Sequence, residues 1–242
     1  MEIRDLTYRE GLLGRLYRPQ DAEVLVVEVH GGAWVMNDRL ANVAIHEYLA
    51  AHGIAVFALD FRMAPKHRYP AAVEDVAFAL HWAKKELPFS KTGALATSSG
   101  AQVLLTAVLP GTEPLDFIVA CWPILDPLAR YRMAKAKGMK NLVDAHHAYF
   151  ADEAAMAEGN PHLIVERGEA KTRPPMLIIQ GTADENVEHH RADLFAQAYG
   201  DARVVKFEGQ PHTFIARDPS SAASQQALET IARYIRDIRG GP

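Results

Sequence analysis

Three side chains able to transfer an acyl group between them stand far apart in this chain, at Ser98, Asp184 and His212. A serine hydroxyl is a weak nucleophile and needs a base to take its proton. A histidine base needs an anion that fixes its tautomer and stabilises its charged form. Ser98 lies in ALATSSGA (94–101), where a strand pattern gives way to a helical one. A sharp turn at such a junction lifts one side chain above a sheet and aims the following backbone N–H groups into the same space. Ala96, Gly100 and Ala101 are small enough for that crowding. Ser99 falls one residue into the helix, where its N–H is more useful than its hydroxyl. Each residue alone has a simpler reading: a helix N-cap for either serine, an Asx turn for Asp184, a loop histidine for His212. Glu185 competes with Asp184 for the role of acid. The order of the three types, each at the end of an expected strand, favours the catalytic reading.

A second stretch, HGGAW (30–34), directly follows the strand pattern VLVVEV. Two glycines let the backbone bend and approach a ligand, so the N–H groups of Gly32 and Ala33 can face a developing oxyanion, with that of Ser99 as a third donor. His30 is assigned a structural role. The chain holds eleven histidines, but the neighbours His146–His147 and His189–His190 diverge and no H-E-x-x-H spacing occurs, so no metal is expected. The basic run Arg130, Arg132, Lys135, Lys137 and Lys140 reads as a solvated helix face, with attraction of an acidic substrate as the lesser alternative.

The elements that must carry these residues follow from periodicity. Apolar, β-branched runs at 24–29, 54–60, 93–98, 117–122, 176–181 and 203–208 read as buried strands. Helical patterns lie between them, one ending at Gly53 and another opening with Pro70 at its first position. An antiparallel hairpin is expected near the amino terminus and an amphipathic helix at the carboxyl end. The fold class is therefore α/β, a mostly parallel central sheet with helices on both faces, whose sites form beyond the carboxyl ends of the strands. The segment from about 125 to 171 interrupts the alternation and is read as a small helical cap insertion in one domain spanning 1–242.

Composition narrows the function. A net charge of −4 argues against general nucleic-acid binding, and no apolar run reaches membrane-spanning length. The charged start, MEIRDLTYRE, lacks the apolar core of a secretory signal, and Cys121 is the single cysteine, so a cytoplasmic protein is expected.

These motifs resemble the α/β-hydrolase superfamily, specifically the hormone-sensitive-lipase-like carboxylesterases. HGGAW is similar to the HGGG-W oxyanion motif, with Ala33 for a third glycine. LDFRMAPKHRYPAAVEDV (59–76) is similar to the family block D-Y-R-L-A-P-E-x-P-x-P-A-A-x-x-D and is the most specific match. GTADENV and GQPHTF resemble the acid and histidine motifs. The resemblance implies Ser98 as nucleophile, Asp184 as acid, His212 as base, and Gly32, Ala33 and Ser99 as oxyanion donors, with Asp60, Arg62 and Asp75 architectural. Two features depart from it. Ala96 replaces the first glycine of the G-x-S-x-G elbow, and only 29 residues precede His30. The short amino-terminal stretch and HGG-W also resemble the kynurenine-formamidase-like branch, which cleaves an N-formyl amide. The resemblance implies hydrolysis of a small-molecule ester, or alternatively an amide, without a cofactor. A homodimer is left open, as is a ligand-binding protein that has lost catalysis. Trp34, Trp122, His147 and Tyr149 are the expected pocket walls.

Overall fold

The computed structural model describes residues 1–111 and 114–239. In chain order the elements are β1 (Glu2–Arg9), β2 (Leu12–Arg18), β3 (Val24–Val29), α1 (Val43–Ala51), β4 (Ala55–Leu59), α2 (Ala71–Glu86), β5 (Lys91–Thr97), α3 (Ser99–Val108), β6 (Ile118–Cys121), α4 (Pro127–Ala136), α5 (Lys140–Tyr149), α6 (Glu153–Glu158), α7 (Pro161–Glu166), β7 (Met176–Gly181), α8 (His190–Tyr199), β8 (Ala202–Phe207), α9 (Phe214–Arg217) and α10 (Ala222–Arg239). The strands form one eight-stranded sheet in the order β1-β2-β4-β3-β5-β6-β7-β8. The hairpin β1–β2 sits at one edge and joins β4 antiparallel, while every pairing from β4 to β8 is parallel.

The alternation of side chains along each strand divides the core in two. Val24, Val26, Val56, Leu95, Val119 and Leu177 face α1, α9 and α10. Leu25, Val27, Phe57, Ala94, Ile118 and Ile178 face the opposite layer, which includes α2, α3 and α8. Because both faces are covered, the central strands β3, β4, β6 and β7 read in sequence as nearly continuous apolar runs.

Val29 pairs with both Leu59 and Ala96, and Thr97 pairs with Cys121. The central strands therefore finish level, and the loops that leave them share one end of the sheet. The block expected to be architectural braces that end. The buried Asp75 carboxylate accepts from Arg9 Nη1 at 2.6 Å, Arg62 Nε at 2.8 Å and the Arg62 N–H at 2.9 Å, tying β1 to the β4–α2 connection. Asp60 accepts from the N–H and guanidinium of Arg39 at 2.9 and 2.7 Å. Pro70 lies one residue before its expected place, immediately ahead of α2, where it still costs no helical hydrogen bond.

Between β6 and β7 the chain forms α4 to α7. Side chains specify three of these starts: Asp126, Asp152 and Asn160 accept from the N–H groups of Ala129, Ala155 and Leu163, and Pro127 and Pro161 open their helices. Asn160 Nδ2 also donates to Asp126 Oδ1 at 2.8 Å, which locks the start of α7 to the start of α4.

Candidate active site

Ser98 stands between β5 and α3 with φ 49° and ψ −119°, a conformation that costs a non-glycine residue about 1–3 kcal/mol unless its surroundings hold it. They do: its N–H donates to the Cys121 carbonyl and its carbonyl accepts from the Ile124 N–H, both at 3.0 Å. The Ser98 hydroxyl donates to His212 Nε2 at 3.0 Å, and His212 Nδ1–H donates to Asp184 Oδ2 at 2.7 Å. Asp184 is itself fixed. Its Oδ1 accepts from the N–H groups of Asn186 and Val187, each at 2.9 Å, and Oδ2 accepts from Gln180 Nε2 at 3.1 Å. Glu185 is exposed, so the histidine meets Asp184 rather than its neighbour.

HGGAW forms a tight loop beside Ser98. Gly32 has φ 127°, and a Cβ there would stand 2.0 Å from the Met36 carbonyl oxygen, so only glycine fits. Ala33 and Trp34 follow with φ of 51° and 65°. The N–H groups of Val35 and Met36 both donate to the Gly32 carbonyl at 3.1 Å, while those of Gly32 and Ala33 meet no protein acceptor among the described residues. Ser99 begins α3, so its N–H is one of the helix's unpaired donors. Its hydroxyl, expected to matter less than its N–H, accepts from the Trp34 N–H at 3.3 Å and ties the loop to the elbow. Helix α3 comes close enough to do so because Gly100 lacks a side chain: a Cβ there would sit 2.2 Å from the Val29 carbonyl oxygen. His30 packs flat on Phe61 at 4.3 Å between ring centroids, in keeping with a structural part.

Beneath the loop lies a polar chain that the motifs did not point to. Gly31 N–H donates to Thr97 Oγ1 at 2.8 Å, and Asn42 Nδ2 reaches both Thr97 Oγ1 at 3.1 Å and Glu28 Oε1 at 2.8 Å. His46 Nε2 is 3.1 Å from Glu28 Oε2. Glu28 is 1% exposed. Its signal in the sequence was a single charge inside the apolar run VLVVEV.

Ser98, His212, Gly32 and Ala33 open onto a cavity of about 370 Å³, within the range of small-molecule sites. Of the four expected wall residues only Trp122 lines it. Trp34 and Tyr149 are stacked on one another at 5.2 Å and buried in the core, because Trp34 Nε1 is drawn inward to Gln102 Oε1 at 2.8 Å. His147 lies on the exposed side of α5, where Nε2 accepts from the Tyr131 hydroxyl at 3.0 Å. The basic run needs the opposite correction. Arg132, Lys135, Lys137 and Lys140 are exposed as expected, but Arg130 is 6% exposed and lines the cavity. It shares the inward face of α4 with Met133 and Ala134. Burial pushes its guanidinium down to about 10, against the pull of the Asp184 charge, so it stays cationic near neutral pH. Among the described residues no three His, Cys, Asp or Glu side chains converge to hold a metal ion, and no helix is long and apolar enough to cross a membrane.

Comparison with known proteins places this arrangement. An arylesterase of Saccharolobus solfataricus is 34% identical over 246 residues, covering 93% of this chain and 78% of that protein. A probable isoprenylcysteine alpha-carbonyl methylesterase of Oryza sativa subsp. japonica is 23% identical over 96% of this chain, which spans only 63% of that relative's length. In fold, an esterase of Pyrobaculum calidifontis superposes with a TM-score of 0.84 over 99% of this chain and 86% of its own, at 22% identity. The family described as the alpha/beta hydrolase fold matches residues 26–216. That span begins in β3 and ends just past His212, so the parallel strands from within β3 to β8, the elbow and the loops around the cavity fall inside it, and the chain belongs to the α/β-hydrolase fold family.

Proposed function

We propose that this protein is a serine hydrolase of the hormone-sensitive-lipase-like carboxylesterase type, cleaving carboxylic esters of small or medium acyl groups. The observation that carries this reading is the unbroken hydrogen-bonded series Ser98–His212–Asp184 at the edge of a 370 Å³ cavity. In the mechanism, His212 Nε2 takes the Ser98 proton as Oγ attacks the acyl carbonyl. The tetrahedral oxyanion is held by the N–H groups of Gly32, Ala33 and Ser99. Collapse expels the alcohol, which receives the proton from His212. Water, activated in turn by His212, then releases the acid from the acyl-enzyme and restores Ser98. Asp184 accepts from Nδ1–H and keeps the imidazolium oriented. Helices α4 to α7 act as a cap over the strand ends within a single domain. The esterase names of the relatives support the reaction class. Ester cleavage is also the lesser demand on such a site, because an alkoxide leaves with less help than an amine.

The test is a comparison of kcat/KM for p-nitrophenyl acetate through decanoate and for N-formylkynurenine, with a fluorophosphonate label as a direct probe of the serine. Short to medium esters are expected to lead the series and Ser98 to take the label. Ser98→Ala should lose about 10⁴-fold in kcat, because the three residues act as a unit. A strong preference for the formamide would move the substrate class to N-formyl amides. A preference for decanoate would refute the small pocket. An unlabelled Ser98 would favour a binding protein.

A further inference from the structure

We infer that the cavity selects substrates that carry a carboxylate of their own, held by the guanidinium of Arg130; this rests on the serine-hydrolase reading of the cavity. Arg130 is the sole Lys, Arg, Asp or Glu among the described residues lining it. The guanidinium is clamped from two sides. Nε donates to the Asn186 carbonyl at 3.0 Å, in the loop that carries Asp184, and the group lies 5.9 Å from the ring of Trp34, which follows the oxyanion loop. It thus lies between the two loops that flank Ser98.

What the clamp leaves over is the informative part. Nη1 is fully buried and makes no hydrogen bond. Among the described residues no carboxylate forms an ion pair with Arg130. Asp184, the acid whose charge it feels, already spends its oxygens on His212, Gln180 and two backbone N–H groups. Leaving a buried cation unpaired is costly, and a neutral donor would serve to bridge Asn186. An arginine fork that lines the cavity, fixed by one nitrogen and unpaired at another, suits a carboxylate oxygen, which returns a charge-assisted hydrogen bond. The rest of the lining offers uncharged polar groups, such as Asn37, Asn42 and Asn141, and no acid to repel an anion. The carboxylate must belong to the molecule being cleaved, because Arg130 and Ser98 face one cavity.

Two matched pairs of esters test this and locate the carboxylate. On the acyl side, p-nitrophenyl hydrogen glutarate is compared with p-nitrophenyl valerate. On the leaving-group side, 3-acetoxybenzoate is compared with 3-acetoxybenzamide. In one pair the anionic member should lead by about 10-fold or more in kcat/KM, the scale of a charge-assisted hydrogen bond. Arg130→Gln should lower the anionic-to-neutral ratio for that pair by about the same factor, and Arg130→Lys by less, since lysine keeps the charge but not the fork. Should the glutamine variant fail to fold, competitive inhibition of the unaltered enzyme by glutarate and benzoate, against glutaramide and benzamide, reads the same contact. Neutral members leading in both pairs, a ratio unmoved in folded Arg130→Gln, or equal inhibition by acids and amides would each overturn the inference. Absence of both ester turnover and Ser98 labelling would instead remove the serine-hydrolase reading, and this inference with it.

Discussion

His146, nearly two turns into α5, is expected to make the fold sensitive to acid. The ring is fully buried on α5, where Nδ1–H donates to the Leu142 carbonyl at 2.7 Å and Nε2 has no partner. Burial first, and the Arg130 charge second, hold its pKa down at about 4. An unfolded histidine titrates near ~6.5, so between these values the unfolded chain binds the extra proton and the folded one does not. The contribution is intact above about 6.5 and is lost as pH falls toward 4. At full effect the slope is ~1.4 kcal/mol per pH unit, and partial relaxation around the ring brings the loss by pH 5 to about 1–2 kcal/mol. Denaturant unfolding at pH 7 and pH 5 should show the natural protein losing that much more stability than His146→Gln. Equal losses would mean that the imidazole is protonated without strain in the folded state.

At the scale of elements, the site depends on how closely α3 approaches the loop after β3. Gly100 permits the contact, since the nearest atoms to an added Cβ are the backbone oxygens of Val29 and His30 at 2.2 and 2.4 Å. Neither can rotate away. Gly100→Ala must push the helix from the loop and stretch the Trp34 N–H to Ser99 Oγ contact that couples them. The expected result is a destabilisation of about 1–3 kcal/mol together with a fall in kcat of at least about 10-fold, because the N–H groups of Gly32 and Ala33, proposed to hold the oxyanion, move with the loop. Thermal melts and steady-state kinetics on the same preparation separate the two effects. A variant with lowered Tm but undiminished kcat would show that the loop holds its shape without α3, most plainly through the Glu28–Asn42–Thr97 chain beneath it.

Across the whole molecule, the sheet and the helices between β6 and β7 share one core. Tyr131, Tyr149, Phe150, Met156 and Ile164 belong to the same buried cluster as Val27, Phe57 and Ile178. Trp34 joins the two layers through its contacts with Tyr149 and Phe150. A region bound by this much common apolar surface should not melt ahead of the rest. Thermal unfolding followed by tryptophan fluorescence and by far-ultraviolet circular dichroism should therefore give coincident transitions. A fluorescence change completed several degrees below the loss of helix signal would divide the chain into two folding units and refute the single domain.

The sequence determined the central sheet, because strands covered on both faces are apolar at nearly every position, and runs such as MLIIQG are hard to mistake. It also singled out Ser98, Asp184 and His212, since the chemistry demands those residue types and each stands in a loop directly after a strand. Glu28 was half legible, a charge in an apolar strand whose partners lay 14 and more residues away. The direction of side chains on α4 and α5 was decided only in three dimensions. Arg130 and Arg132 differ by two positions in a basic run, and nothing local says which turns inward. That depends on where Trp34 and Asn186 come to lie, and those belong to loops from other strands. Trp34 and Tyr149 were likewise expected at the cavity wall and stack behind it, because an aromatic ring satisfies a core and a pocket equally well and only packing chooses between them.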